Sequence, residues 1–395
     1  MKTSVTPRIP SIDVFRAFTM FLMIFVNDLW TLSGIPQWLE HTEANTDGMG
    51  LADIVFPAFL VVMGMSVPFA IQNRLNRGHS KLLILRHIAA RSFALLVMGV
   101  FTVNTPLADS EAMGINKYWF EIIAVACFFL IWNVYPKIEG NRKYFYRSMQ
   151  ALGAIILLIF AFIYRGSGDS AGEIVKFQPR WWGILGLIGW AYLGSAVLYL
   201  YLKDSIIALF LCWIFFSAFN IAGHAGILGN GEVFPGNGAF QAFSFAGILS
   251  TVFMKRLIDS GKSGRFIPYA LLTGGVLIVS GFVLRNFFII SKILATPPWI
   301  MICSGIALIL FAAFYYLVDI KEKEGWFTII KAGGTSTLTC YLIPYLWYNL
   351  AEIYGLNLPD WMKAGFVGII KSIAFALLII WITSVLEKVK VKLKI

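Results

Sequence analysis

Between two long apolar runs near the N-terminus lies NDLWTLSGIPQWLEHTEANTDGMGLADIVFP, residues 27–57, which gathers Asn27, Asp28, Glu40, His41, Glu43, Asp47 and Asp53. His41 is the side chain here best suited to moving protons, since a neutral imidazole with an ordinary pKa of about 6.5 takes and returns a proton near neutrality. Asp53 stands just ahead of Phe56 and Pro57. It reads two ways, as a cap for the helix that follows or as a carboxylate orienting an imidazole. Asn27 closes the preceding run, where a carboxamide is costly unless hydrogen-bonded. It either ties helices together or faces a polar cavity. Asp28 points about 100° away on a helix, so only one of the two shares such a cavity, and Asn27 is the expected one.

The elements that hold these residues follow from composition. With 58% hydrophobic, 16% aromatic and 13% charged residues over 395 positions, the chain cannot be a soluble surface around a core. It reads as an all-α polytopic transmembrane bundle, one membrane domain over residues 1–395. Twelve candidate runs lie near residues 12–33, 52–72, 84–104, 118–136, 149–165, 182–202, 204–223, 239–257, 267–290, 298–318, 333–354 and 364–386. Lys203 and Asp204 make the weakest boundary. The runs on either side form a tight hairpin, or one is re-entrant and the count is eleven. The first run is long enough to span and lacks a small-residue cleavage site, so it is expected to stay in the mature protein. Cys127, Cys212, Cys303 and Cys340 fall inside apolar runs without ligand spacing, which points to packed thiols and no metal.

Placing the N-terminus inside puts 24 of the 32 basic residues on the cytoplasmic side, from Lys2, Arg8 and Arg16 through Lys137 and Arg142 to Lys394. Both termini are then cytoplasmic, and a plasma (inner) membrane location is expected. Basic loops facing anionic headgroups also account for the net charge of +11 without nucleic acid.

Other polar positions carry chemistry less directly. Asp13 and Arg16 are three apart on one helix face, either an interfacial ion pair or an anion site whose arginine is oriented by the aspartate. Gly64 and Pro68 predict a thin or kinked middle in the second run, open to a close neighbour. His79 and His87 belong to a basic loop and read as solvated or lipid-facing. His224, in a glycine-rich stretch, reads as part of a flexible loop or of the outer mouth. Arg285 either snorkels or faces the interior, Lys292 follows in the outer connection, and Lys371 reads as a snorkelling lysine.

SIDVFRAFTMFLMIFVN, the loop with His41, LADIVFPAFLVVMGMS, RLNRGHSK and ARSFALLVMGVFTVN together resemble the heparan-alpha-glucosaminide N-acetyltransferase family, most specifically over residues 10–104. Residues 291–354 look like the same family's C-terminal half. The resemblance implies transfer of an acetyl group from cytoplasmic acetyl-CoA to an amino sugar or related sugar acceptor on the other side. It implies His41 as the catalytic histidine ahead of Asp53, and Asn27 as the family's asparagine near the outer end of the first helix; in the expected mechanism Asp53 orients the ring and Asn27 donates to the thioester oxygen as charge builds there. Asp13 and Arg16 match its SxDxxRG opening, with Ala17 in place of the glycine, and KYWFEIIAVACFF replaces a GVLQR-type stretch. The CoA phosphates would take Arg16, Arg74, Arg77, Arg86 and Arg91, with Asp13 orienting Arg16; the acceptor would meet Arg285, Lys292 and His224. The implied partners are the acceptor and membrane lipids, with a homodimer allowed. A transporter or flippase of a sugar or lipid-linked sugar is the rival reading, with a structural membrane protein third. The transferase reading asks for a polar passage from the basic side to His41.

Overall fold

A computed structural model describes residues 9–136, 141–168, 173–229 and 231–395; Lys2, Arg8 and Lys137 lie outside them. Each of the twelve apolar runs contains a long helix: α1 Pro10–Asp28, α2 Leu51–Asn76, α3 Lys81–Asn104, α4 Lys117–Trp132, α5 Asn141–Ile163, α6 Gly183–Leu202, α7 Ile206–His224, α8 Ala239–Asp259, α9 Phe266–Leu284, α10 Pro297–Tyr315, α11 Thr337–Tyr354 and α12 Gly365–Lys388. Among the described residues eight of them, α2, α3, α5, α6, α7, α9, α10 and α12, are long and apolar enough to cross a membrane. The other four, α1, α4, α8 and α11, are shorter or more polar. Their buried polar side chains include Asp28, Glu121, Gln241 and Asn349. The two-stranded ribbon is Gly166–Ser167 against Ile174–Val175.

Burial sorts the helices into centre and rim. The most apolar stretch of α2 is 72% buried, and those of α6 and α10 are 67% buried, whereas α5 is 17% buried and α7 and α9 are 22% buried. Apolar side chains left outward on the rim helices are what lipid contact requires. Toward the centre α2 packs on α8 and α3 on α6, and the rim helix α9 packs on α10. The α2–α8 crossing explains Gly64: a Cβ there would overlap the Ser244 carbonyl, and one on Gly247 would overlap that of Val61. Backbones this close need small residues on both sides.

α6 and α7 are two continuous helices joined by a short turn. Lys203 takes φ +51°, and Asp204 receives the Tyr199 hydroxyl at 2.7 Å and pairs with Lys255 at 3.7 Å. The four cysteines are free, three of them buried. Because α1 and α2 run antiparallel, Arg16 meets Ser66 at one end of the bundle and the residue 29–50 connection joins the helices at the other. These are termed below the basic end and the histidine end.

Candidate active site

Asp53 sits in the first turn of α2 and is 1% exposed. Its Oδ2 accepts the backbone N–H of Gly50 and of Thr42, each at 3.0 Å, and its Oδ1 is 2.7 Å from His41 Nδ1. One carboxylate therefore caps the helix and orients the imidazole, the two roles that the sequence poses as alternatives. Pro57, lacking an N–H, frees the carbonyl four residues back, which is that of Asp53. Trp299 Nε1 donates to it at 3.0 Å, fixing the backbone under the carboxylate from α10. The loop closes tightly on α2 because Gly50 has no side chain; a Cβ there would overlap the Glu40 carbonyl.

An ionised carboxylate only accepts, so Nδ1 carries the proton shared with Asp53 and Nε2 keeps its lone pair. The His41 side chain is 46% exposed, and Asp53 bonds its Nδ1 rather than Nε2.

Lys292, in the α9–α10 connection, brings its Nζ to 3.1 Å from His41 Nδ1, 3.4 Å from Nε2 and 3.9 Å from Asp53 Oδ1. In the ring plane those two nitrogen distances would overlap the carbon between them, so the ammonium lies over the ring face. Burial pushes the Lys292 amine down to about 8, against the opposing pull of Asp53.

The segment carrying Lys292 is pinned from both sides. Asp47 takes the Ile290 N–H and the Arg285 Nε, each at 2.8 Å, and Ser291 donates to the Ala44 carbonyl at 2.7 Å. From α7, Asn220 and His224 reach the Ala295 carbonyl at 3.0 and 3.3 Å. Ala295 itself has φ +52°, a conformation that persists only where its surroundings enforce it. Arg285 and His224 are thus loop anchors; neither bonds to the imidazole.

At the basic end a cavity of about 670 Å³ opens between α1, α2, α3, α6 and α11. Its mouth holds Asp13, Arg16, Asn73, Arg91 and Lys394. Arg16 bonds Ser66 Oγ at 2.6 Å and Asp13 Oδ1 at 3.1 Å, and the Arg91 guanidinium lies 4.6 Å from the Tyr192 ring centroid. Residues 389–395 fold back across the mouth, with the Leu393 N–H on Thr339 Oγ1 at 2.9 Å. Deeper in, the walls are apolar, with Met20, Met23, Phe59, Val62, Met63 and Ile188. Of the expected phosphate ligands Arg16 and Arg91 line this cavity, with Asp13 beside Arg16 as expected of its orienting partner; Arg74, Arg77 and Arg86 do not. His79 and His87 stack on each other with ring centroids 6.3 Å apart.

The cavity stops short of the histidine end and does not itself supply the expected continuous passage. His41, Asp53 and Lys292 do not line the cavity, whose deepest α2 residue, Phe59, lies six positions, or about 9 Å, inward of Asp53. Buried Val55, Phe56 and Ala58 on α2 occupy that interval.

Two further expectations need correction. Asn27 is exposed and, among the described residues, forms no hydrogen bond, while its neighbour Asp28 turns inward at 2% exposure. Asp28 receives Tyr348 at 2.7 Å, Ser372 at 2.6 Å and Lys371 at 2.6 Å. Lys371 is accordingly a half-buried partner, and its anion is what draws it inward. Glu121, equally buried, accepts Asn349 Nδ2 at 2.7 Å. Ser66, Trp299, Asn220 and Tyr192 carried no signal in the sequence, because each acts through a contact with a distant element.

Residues 8–110 match the family described as heparan-alpha-glucosaminide N-acetyltransferase, catalytic. Over 102 residues the chain is 38% identical to the heparan-alpha-glucosaminide N-acetyltransferase of Homo sapiens, a stretch covering 26% of this chain and 15% of the human protein. Over 98 residues it is 40% identical to the Mus musculus protein of that name, covering 25% of this chain and 14% of the relative. The match thus spans a minor part of these relatives. It contains α1, α2, α3, His41 and Asp53; Lys292 and the 291–354 segment fall outside it.

Proposed function

We propose that this chain is a membrane-embedded acetyltransferase that moves an acetyl group from acetyl-CoA, taken up at the basic, cytoplasmic end, to an amino sugar or related sugar acceptor at the histidine end. The observation that carries this reading is the His41–Asp53 pair at 2.7 Å, at the opposite end of α2 from the cavity where Arg16 meets Ser66. The likeness of the same segment to a catalytic N-acetyltransferase family supports it.

The cavity fits the donor by chemistry. Cations at the mouth suit phosphates, and the apolar shaft suits a thin pantetheine arm. Arg16, held by Asp13 and Ser66, and Arg91, stacked on Tyr192, are the phosphate-side residues. The acceptor's amine or hydroxyl attacks the thioester carbonyl as His41 Nε2 takes its proton. Asp53 keeps the proton on Nδ1 and steadies the imidazolium that forms. The proton then leaves with the CoA thiolate as the thiol. An acetyl-imidazole on His41 is the two-step variant. Either route requires the apolar floor, Met23, Phe59 and Met63, and the buried Val55 and Phe56 beyond it, to turn aside; unbranched methionines adapt readily.

Purified protein incubated with labelled acetyl-CoA and a panel of amino sugars and sugar alcohols tests the proposal. Label on an acceptor, lost in a folded His41→Ala variant, supports it. Solute flux indifferent to acetyl-CoA, with no acetyl product, refutes it in favour of transport.

A further inference from the structure

Resting on that reading, we infer that Lys292 is a catalytic residue, whose ammonium stabilises the negative charge that develops on the thioester oxygen during transfer.

Three observations converge on Lys292. Its Nζ stands 3.4 Å from His41 Nε2, the nitrogen left open to the acceptor, so an acyl carbon attacked beside Nε2 has its oxygen within the ammonium's reach. It is not simply the counter-ion of Asp53. That carboxylate already holds the imidazole and two backbone N–H groups, and its Oδ1 lies farther from Nζ, at 3.9 Å, than either ring nitrogen does. The ammonium's donors are therefore available to a third group. Finally, the chain around Lys292 is held more firmly than a surface connection requires, by Asp47 and Ala44 on one side, Asn220 and His224 on the other, and Ala295 in a left-handed conformation. Rigid placement of a charge at the point where opposite charge develops is how electrostatic catalysis acts without reorganisation. Asn27, the donor expected for this task, makes no bond to the group.

The step balances without further reagents. The acceptor nitrogen or oxygen forms a bond to the carbonyl carbon, and the C=O pair moves onto oxygen opposite Lys292. The oxyanion collapses with loss of the CoA thiolate, and the proton on His41 passes to sulfur. Lys292 keeps its protons throughout.

Charged and titratable groups facing Lys292 are Asp53 from α2, His41 from the connecting loop and Cys303 from α10. The amine is pushed down to about 8, so its charge, and with it turnover, should fall as the pH rises through that value.

The test compares wild type, Lys292→Met and Lys292→Arg by kcat, KM and pH profile, with competitive acetic anhydride labelling of the lysines from pH 6 to 10 read by peptide mass. In wild type, Lys292 should gain reactivity around pH 8, below the bulk lysines. Lys292→Met should lower kcat by roughly 10²–10³-fold with KM for acetyl-CoA within about threefold, the loss seen when an oxyanion donor is removed. Lys292→Arg should recover part of kcat and keep it at pH 9, where wild type declines, because a guanidinium stays charged. A wild type that transfers acetyl normally while Lys292→Met keeps kcat within threefold overturns the inference. So does an Arg variant with an unchanged alkaline limb, or a Lys292 that labels with the bulk lysines. A wild type with no transfer at all refutes the parent reading instead.

Discussion

Asp53→Asn separates a carboxylate that merely caps α2 from one that sets the state of His41. The carboxamide oxygen can still accept the Gly50 and Thr42 N–H groups, which are 3.0 Å from Oδ2, so helix α2 keeps its start. The remaining –NH2 then faces His41 Nδ1 at the 2.7 Å position and can only donate. Nδ1 must become the acceptor, the proton moves to Nε2, and the nitrogen facing the acceptor is no longer a base. The same change in a Ser-His-Asp protease lowers kcat by about 10⁴. Here the ring is half exposed and can also rotate, so a loss of about 10³–10⁴ is expected, which is roughly 4–5.5 kcal/mol of barrier. The assay is single-turnover transfer of labelled acetyl, with size-exclusion profile and thermal midpoint recorded in parallel. Because two backbone bonds survive, stability should fall by only about 1–2 kcal/mol. A folded Asp53→Asn protein that keeps kcat within tenfold would show that Nε2 is not the operative base, and the scheme would fail with it.

Arg16→Ala should raise KM for acetyl-CoA by about tenfold or more while kcat changes little, since a phosphate-side charge contributes uniform binding; a saturation curve checks this. Gly64→Leu should remove most folded protein, at a cost beyond about 3 kcal/mol, because Ser244 leaves no room for a side chain; the yield of monodisperse protein reads it. Arg285→Ala should loosen the Lys292 segment and lower kcat without touching substrate, and hydrogen exchange at residues 285–296 should quicken in step. Asp47 is held below its ordinary carboxylate value, first by the Ile290 N–H and then by Arg285. Its contribution to that clamp is therefore present above an ordinary carboxylate pKa near ~4 and lost as the pH falls below it. Protection of residues 285–296 should decline over that acidic interval, and not between pH 6 and 8.

The helical architecture was legible because span length and charge bias are local properties of the chain. Helix α4, only 16 residues long, and α1, with Asp13, Arg16 and Asp28, could be placed as runs yet fall outside the set long and apolar enough to cross a membrane. His41 and Asp53 were legible as chemistry, being close in sequence and next to a proline that marks a helix start. The two roles of Asp53 could not be separated, and in the fold they do not compete, since each carboxylate oxygen serves one of them. Asn27 against Asp28 failed for a different reason. Helical phase says that the two diverge but not which one faces the bundle, and that is decided by Lys371, more than 340 residues away. Lys292 could be singled out as an outer cation, yet its register on the imidazole depends on Asp47, Ala44, Asn220 and Ala295 acting together, which no spacing reveals.

The apolar interval between Phe59 and Asp53 also bears on the cell that carries this protein. A standing water-filled duct from one face to the other would let protons and ions run down their gradients at every moment, reacting or not. With Val55, Phe56 and their buried neighbours packed there, a bundle closed in this way stays electrically tight at rest, and the proposed transfer asks only for the brief displacement of a few side chains to admit a slender, uncharged acyl group.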